Sequence, residues 1–186
     1  MNSFEQTLFK LDEFCKDTSI KYAVVGGVAV ISYDYQRTTK DIDITVLCKL
    51  EQIKEIHDKF VKEYQPVYDD SLNFFSRNFV LPLKDKITNV RIDVIAGLTI
   101  FDDTIISRRQ RKKLGESEFY ICTLEDLILY KLFASRHLDL GDVENLLIRN
   151  KNSIDKNYLV STAEKFKELE REDIVKNLNK LLQDVK

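Results

Sequence analysis

The sequence predicts an α/β (α+β) chain, with a strand-bearing first part and a helical C-terminal part. Three observations predict it. Tyr22-Ala-Val-Val25 runs into Gly26-Gly27 and then Val-Ala-Val-Ile-Ser-Tyr, the pattern of strand, tight turn and helix. Two more runs, Asp41-Ile-Asp-Ile-Thr-Val-Leu47 and Asn89-Val-Arg-Ile-Asp-Val-Ile-Ala-Gly97, have the β-branched composition of strands. From Thr123 onward the apolar residues fall at helical spacing instead.

The other elements follow in order. Ser3-Phe-Glu-Gln6 has the capping-box pattern, and Phe4, Leu8, Leu11 and Cys15, with Phe14 beside them, keep helical spacing through Lys16. This helix is expected to pack on a sheet. Residues 51–64 place Ile53, Ile56, Phe60 and Val61 on one helical face, with His57 beside the stripe as a structural or surface residue. Residues 72–83 read as a strand, at a sheet edge because of Pro82, with Asp69 and Asp70 in the turn before it. Residues 84–89 then turn the chain back toward Asp93. Residues 119–122 are expected to form a last short strand. Thr123-Leu-Glu-Asp126 opens a helix whose apolar side is Leu127, Ile128, Leu132 and Phe133, and Lys131 stands one position off that stripe. Asp139 or Gly141 is expected to break it before another helix begins near Asp142. Residues 155–186 read as one or two amphipathic helices.

Composition narrows the function classes. At 186 residues and 44% hydrophobic, the chain can bury a core as one domain or as a catalytic half with a helical appendage. The start shows no basic region followed by an apolar run, and no apolar stretch approaches 18 residues, so a cytoplasmic protein without a membrane span is expected. Cys15, Cys48 and Cys122 are odd in number and in no metal-ligand spacing, which argues against disulfides and zinc and for small buried apolar residues. A net charge of −2 exerts no global pull on nucleic acid. Residues 107–113 form the one basic cluster, five cations in six positions, read either as a contact for nucleotide phosphates or an RNA backbone or as a solvated loop. It lacks the interleaved aromatics of single-strand binders.

The chemistry concentrates around Asp41. Glycines at 26 and 27 let a backbone approach a ligand, and the unpaired N–H groups of the following helix would favour phosphate there. A strand's period of two puts Asp41 and Asp43 on one face, about 7 Å apart. Carboxylates so close repel unless a cation lies between them, and Mg²⁺ favours carboxylate and phosphate oxygens. Asp93 stands alone among apolar neighbours, costly in a buried strand unless paired or bound to metal. Three such carboxylates beside a glycine turn suggest two-metal phosphoryl or nucleotidyl transfer. Arg37-Thr38-Thr39-Lys40 abuts the Asp-x-Asp strand and offers a cation and hydroxyls to a triphosphate; a solvated loop is the plain alternative.

Gly26-Gly27, thirteen residues, then Asp41-x-Asp43, with the later single Asp93 on a strand, resembles the nucleotidyltransferase fold of the polymerase-beta superfamily. The resemblance implies a mixed sheet flanked by helices. Farther on, Leu124-Glu-Asp-Leu-Ile-Leu-Tyr-Lys131 with Arg136-x-x-Asp139-x-x-Asp142 resembles the AbiEii-type nucleotidyltransferases, which include type IV toxin–antitoxin toxins. In that family a lysine and an aspartate complete the active site, which implies catalytic roles for Lys131 and Asp142; otherwise Lys131 is an exposed helix cation and Asp142 a helix cap. The resemblance covers about residues 20–150. The glycine motif departs from it, Gly-Gly-Val standing where Gly-Gly-Ser or Gly-Ser is commoner, so a hydroxyl is missing and backbone N–H groups would hold phosphate.

The expectation is therefore a catalytic core over residues 1–122 with a helical part over 123–186 packed on it. It would be a metal-dependent nucleotidyltransferase moving NMP from an NTP to a hydroxyl acceptor, with toxin–antitoxin or phage-defence roles implied by the resemblance. Asp41, Asp43 and Asp93 would bind Mg²⁺ or Mn²⁺, and Asp93 would also help deprotonate the acceptor. Gly26, Gly27, Arg37, Thr38 and Thr39 would hold the NTP, and Lys131 would neutralise the departing pyrophosphate. The acceptor stays open among tRNA or other RNA, a small hydroxylated molecule and a protein side chain, with an antitoxin protein as an implied partner. Two alternatives stand beside it: a non-catalytic nucleotide- or partner-binding module of the same fold, and an ordinary α/β domain in which the three aspartates do not converge.

Overall fold

The computed structural model describes residues 2–184. They divide into two compact units, Met1–Ala29 with Thr38–Cys122 and Val30–Arg37 with Thr123–Lys186. The strands of the first unit are β1 (Tyr22–Val25), β2 (Asp41–Leu47), β3 (Gln65–Pro66), β4 (Val80–Lys84), β5 (Arg91–Gly97), β6 (Gln110–Leu114) and β7 (Ser117–Ile121). They form one seven-stranded sheet in the order β3-β4-β5-β2-β1-β7-β6. The sheet is mixed: β2 runs parallel to β5 and β1 to β7, and the other neighbours are antiparallel. On β2 the expected alternation holds, with Ile42 and Ile44 fully buried and Asp41 and Asp43 half-buried.

The helix α1 (Ser3–Asp17) covers β1 and β7 with its buried Leu8, Leu11 and Cys15. Ser117 Oγ donates to the Glu5 carbonyl at 2.6 Å, and the Tyr22 hydroxyl donates to Asp12 Oδ1 at 2.6 Å. Its cap lies one residue before the expected one, since Asn2 Oδ1 accepts the Glu5 N–H. The Phe14 ring, 4.9 Å from Phe60 and 5.6 Å from Tyr64, joins α1 to α3 (Ile53–Glu63). His57 is structural, its Nε2 lying 2.9 Å from Ser71 Oγ.

The strand expected over residues 72–83 is mostly a helix, α4 (Ser71–Asn78). Its Phe-Phe pair has strand composition, but helical spacing buries Phe75 while Phe74 stacks on Tyr68 at 4.5 Å. Phe79, left-handed at φ 57°, ends the helix, and only β4 is extended. Nor is β4 an edge: it lies between β3 and β5, with Pro82 opposite Asp93 and the Pro82 carbonyl accepting Val67 N–H at 3.0 Å. Asp70 accordingly precedes a helix rather than a strand. The turn at 85–89 is held by the buried Asp85, whose carboxylate accepts from Ile87 N–H, Thr88 N–H and the Lys10 ammonium. Burial alone would raise this carboxyl, but those donors outweigh it and hold it below the usual range. The basic cluster is no loop: Arg108 ends α5 (Ile100–Arg108), and Arg111, Lys112 and Lys113 lie on β6 at the end of the sheet.

The second unit is helical: α6 (Leu124–Ala134), α7 (His137–Arg149), α8 (Lys156–Lys165) and α9 (Glu172–Asp184). Thr123 caps α6 by accepting Asp126 N–H. The break expected at Asp139 or Gly141 lies earlier, at Ser135, which is left-handed at φ 51°. From there α7 runs unbroken through Gly141. The Tyr158 hydroxyl donates to Asp126 Oδ1 at 2.6 Å, tying α8 to α6, and the Asn150 amide reaches the Tyr33 carbonyl at 3.1 Å. Among the described residues no helix is long and apolar enough to cross a membrane. All three cysteines are free and buried, as expected.

Candidate active site

Two strand registers build the site of the first unit. Parallel pairing of β2 with β5 sets Asp43 beside Asp93 and Asp41 beside Arg91. Antiparallel pairing of β1 with β2 sets Val25, the residue before Gly26, opposite Asp43. The side chains of Asp41, Asp43 and Asp93 therefore emerge together, half-buried, and each offers a carboxylate oxygen within 4.8 Å of the other two. The reading in which they do not converge is excluded.

Gly26 is held in this arrangement by geometry. Its φ is +61°, and a Cβ placed there would lie 1.9 Å from Asp43 Oδ2. Only glycine lets the Asp43 carboxylate lie against the β1–α2 turn, where α2 is Gly26–Ser32. Gly27 is buried behind it. Thr39 Oγ1 donates to Asp41 at 3.1 Å, whereas Thr38 is exposed. Arg91 grips Asp93 through two parallel hydrogen bonds, Nε to Oδ1 at 3.0 Å and Nη2 to Oδ2 at 3.1 Å. The Asp93 hydrogen bond and the charges of Asp93 and Asp41 raise the Arg91 guanidinium above its ordinary value.

The donor set fits a hard divalent cation. Oxygens on opposite sides of one Mg²⁺ are about 4.2 Å apart, so carboxylates within 4.8 Å of one another need only small rotations to share an ion. Asp41, Asp43 and Asp93 are the residues that could hold it.

Lys131, Asp142 and Arg37 form a different cluster, within the second unit. Lys131 is not an exposed cation: it is 3% exposed, and its Nζ lies 2.9 Å from Asp139 Oδ1 and 2.7 Å from Asp142 Oδ2. Arg37 Nη1 meets that same Asp142 oxygen at 2.5 Å, and Arg136 Nε meets Asp139 Oδ2 at 2.7 Å. Charges thus alternate as Arg37, Asp142, Lys131, Asp139, Arg136. Burial would raise the Asp139 carboxyl, but hydrogen bonds from Arg136 and Lys131 hold it below the usual range.

Sequence reasoning missed Arg91 as a partner of the acids and Asp139 as an ion-pair hub. The first was marked by Arg-x-Asp, a period of two that puts both on one strand face. The second was marked by Lys131 and Asp139 flanking a helix turn, which periodicity alone reads as a break.

A mixed sheet with flanking helices and three aspartates converging beside a glycine turn defines a protein of the nucleotidyltransferase fold. Residues 6–186 match the family described as nucleotidyltransferase of unknown function (DUF6036), and the chain belongs to that family. No curated protein matches it by sequence. Among solved structures it is similar to an antigenic nucleotidyltransferase-like protein from Paracoccidioides brasiliensis, with TM-score 0.54 and 12% identity over 94% of this chain and 91% of that one. The antibiotic-resistance factor ANT(2'')-Ia is similar with TM-score 0.57 and 12% identity over 92% and 98%. The lincosamide antibiotic adenylyltransferase LnuA, lincomycin-bound, gives TM-score 0.50 and 15% identity over 76% and 94%. At these identities the likeness is one of fold.

Proposed function

We propose that the protein transfers a nucleoside monophosphate from an NTP to a hydroxyl acceptor with the help of Mg²⁺ or Mn²⁺. The observation that carries this reading is the convergence of Asp41, Asp43 and Asp93 against Gly26. When bound, the ion would supply Lewis-acid stabilisation of phosphate charge. The acceptor oxygen bonds to the α-phosphorus, the bond from that phosphorus to the bridging oxygen breaks, and pyrophosphate leaves. Asp93 takes the hydroxyl proton. Its two oxygens carry about four acceptor positions, so the Arg91 fork orients it without exhausting it. Thr39 orients Asp41 in the same way, and the Gly26-Gly27 backbone makes room for phosphate. Arg37 and Thr38 are assigned to the triphosphate, and the roles that the AbiEii-type resemblance implies for Lys131 and Asp142 belong to the same proposal.

The test incubates the protein with each α-labelled NTP and Mg²⁺ or Mn²⁺, against RNA including tRNA, protein and small-molecule fractions, with Asp43→Ala alongside. ATP comes first, because LnuA is named an adenylyltransferase. Metal-dependent label transfer that disappears in Asp43→Ala is expected, and the labelled fraction names the acceptor class. Metal-dependent NTP binding without transfer to any fraction would replace this reading with the non-catalytic module. Growth arrest on expression of the parent but not of Asp43→Ala would add the toxin role.

A further inference from the structure

At the other end of β1 from the carboxylates is a cavity of about 200 Å³, lined by Asp12, Lys16, Ser19, Lys21, Arg109 and Tyr120 among others. Tyr22 opens β1 and Gly26 follows its last residue, so the two places are separated by a strand of roughly 13 Å. We propose that this cavity is a second anion site, one that takes a phosphate group.

The charges around it are unevenly spent. Asp12 is already engaged by a cation: its Oδ1 accepts both the Tyr22 hydroxyl at 2.6 Å and Arg111 Nη1 at 2.8 Å. Arg109 is in the opposite condition. Its Nη1 donates to the Ile106 carbonyl and its guanidinium lies 4.5 Å from the Tyr120 ring centre. Yet its Nε is buried without a hydrogen-bond partner, and among the described residues no carboxylate pairs with it. A half-buried cation lacking a counter-ion is a cost that a docked anion removes. Lys16 and Lys21 line the same cavity, and Lys16 meets Glu13 only at 3.7 Å across an exposed surface. The remaining guanidinium N–H groups of Arg109, two ammonium groups and the Ser19 hydroxyl match the several oxygens of a phosphate better than the two of a carboxylate. The space exceeds several waters at about 30 Å³ each, enough for a phosphate with part of the group it esterifies.

The test follows the backbone amides of Ser19, Lys21, Tyr22 and Tyr120 by NMR while inorganic phosphate is titrated at constant ionic strength. Saturable shifts at those amides are expected, weakened roughly tenfold by Arg109→Gln and by the exposed Lys21→Gln. They should persist in Asp43→Ala, which separates this site from the proposed transfer reaction. AMP and a ten-nucleotide single-stranded RNA then identify the source. RNA binding more than tenfold tighter than AMP, with a salt dependence that flattens in Arg109→Gln, assigns the site to a polynucleotide backbone; AMP binding equal or tighter assigns it to a small phosphorylated molecule. Shifts reproduced by sodium chloride, or surviving both substitutions unchanged, would overturn the proposal.

Discussion

The two charged clusters are built on opposite plans. In the first unit Asp41, Asp43 and Asp93 gather like charges with oxygens within 4.8 Å, on strands whose other residues are largely apolar. In the second unit Lys131, Asp139 and Asp142 are more deeply buried, but each charge touches an opposite one. Desolvated charge is tolerated in the second because it is compensated on the spot. In the first the sheet register holds the three carboxylates together, with the Arg91 guanidinium paired to Asp93 at their edge. The difference is between charges compensated side by side across helices and like charges brought together by strand pairing.

The largest effect should come from removing a member of the like-charged group. Asp43→Ala is expected to lower nucleotidyl transfer by about three orders of magnitude while thermal stability holds or rises, as one repelling charge is gone. A fall in stability with the rate intact would break the contrast. Lys131→Ala, besides the loss of rate that its proposed role at the pyrophosphate implies, should also cost stability. With two carboxylates left buried around a vacated ammonium, stability should fall by about 3–5 kcal/mol in urea denaturation. Gly26→Ala lies between, since the new Cβ must displace the Asp43 carboxylate and accept positive φ. A stability loss of about 1–2 kcal/mol should accompany a rate close to that of Asp43→Ala. Arg91→Gln should be milder, costing roughly tenfold in rate through a less ordered Asp93, with rescue by Arg91→Lys incomplete because one ammonium cannot reproduce the two-point grip.

The smallest effect is in acid. Because Asp139 in the folded protein lies below the ordinary carboxylate value of 3.8, its contribution to stability is whole above that value and is lost as pH falls through the lower folded one. The urea midpoint should therefore drop on acidification from about pH 5 to about pH 2, and less steeply in Arg136→Gln. An unchanged slope would mean that Arg136 does not hold Asp139 down.

The like-charged cluster was legible in sequence because its strongest signals are local, although Asp93 joins it only through the pairing of β2 with β5. A four-residue strand ending in two glycines and a period of two at Asp41 and Asp43 announce themselves within a few positions. The compensated cluster was not, because Lys131, Asp139 and Asp142 find each other only through helix packing. Read along the chain, a lysine off the apolar stripe looks solvated and an Asp-Leu-Gly-Asp run looks like a break. Ser135, with nothing in its composition to mark it, takes the left-handed turn instead. Residues 72–79 failed for a related reason, since Phe74 and Phe75 satisfy a strand's preferences while the tertiary site of Phe75 selects a helix. Of the span 72–83 only the stretch that forms β4 is extended, and β5 after it was recovered.

The sheet ends on β6, a five-residue outer strand along which a further strand could be added. Arg111, Lys112 and Lys113 give that border a run of positive charge, and two copies brought edge to edge would repel. Colloidal behaviour follows: acetylating those lysines, or screening them with concentrated salt, removes the guard and favours edge-to-edge growth of the sheet, so stocks should stay clear longest at low ionic strength.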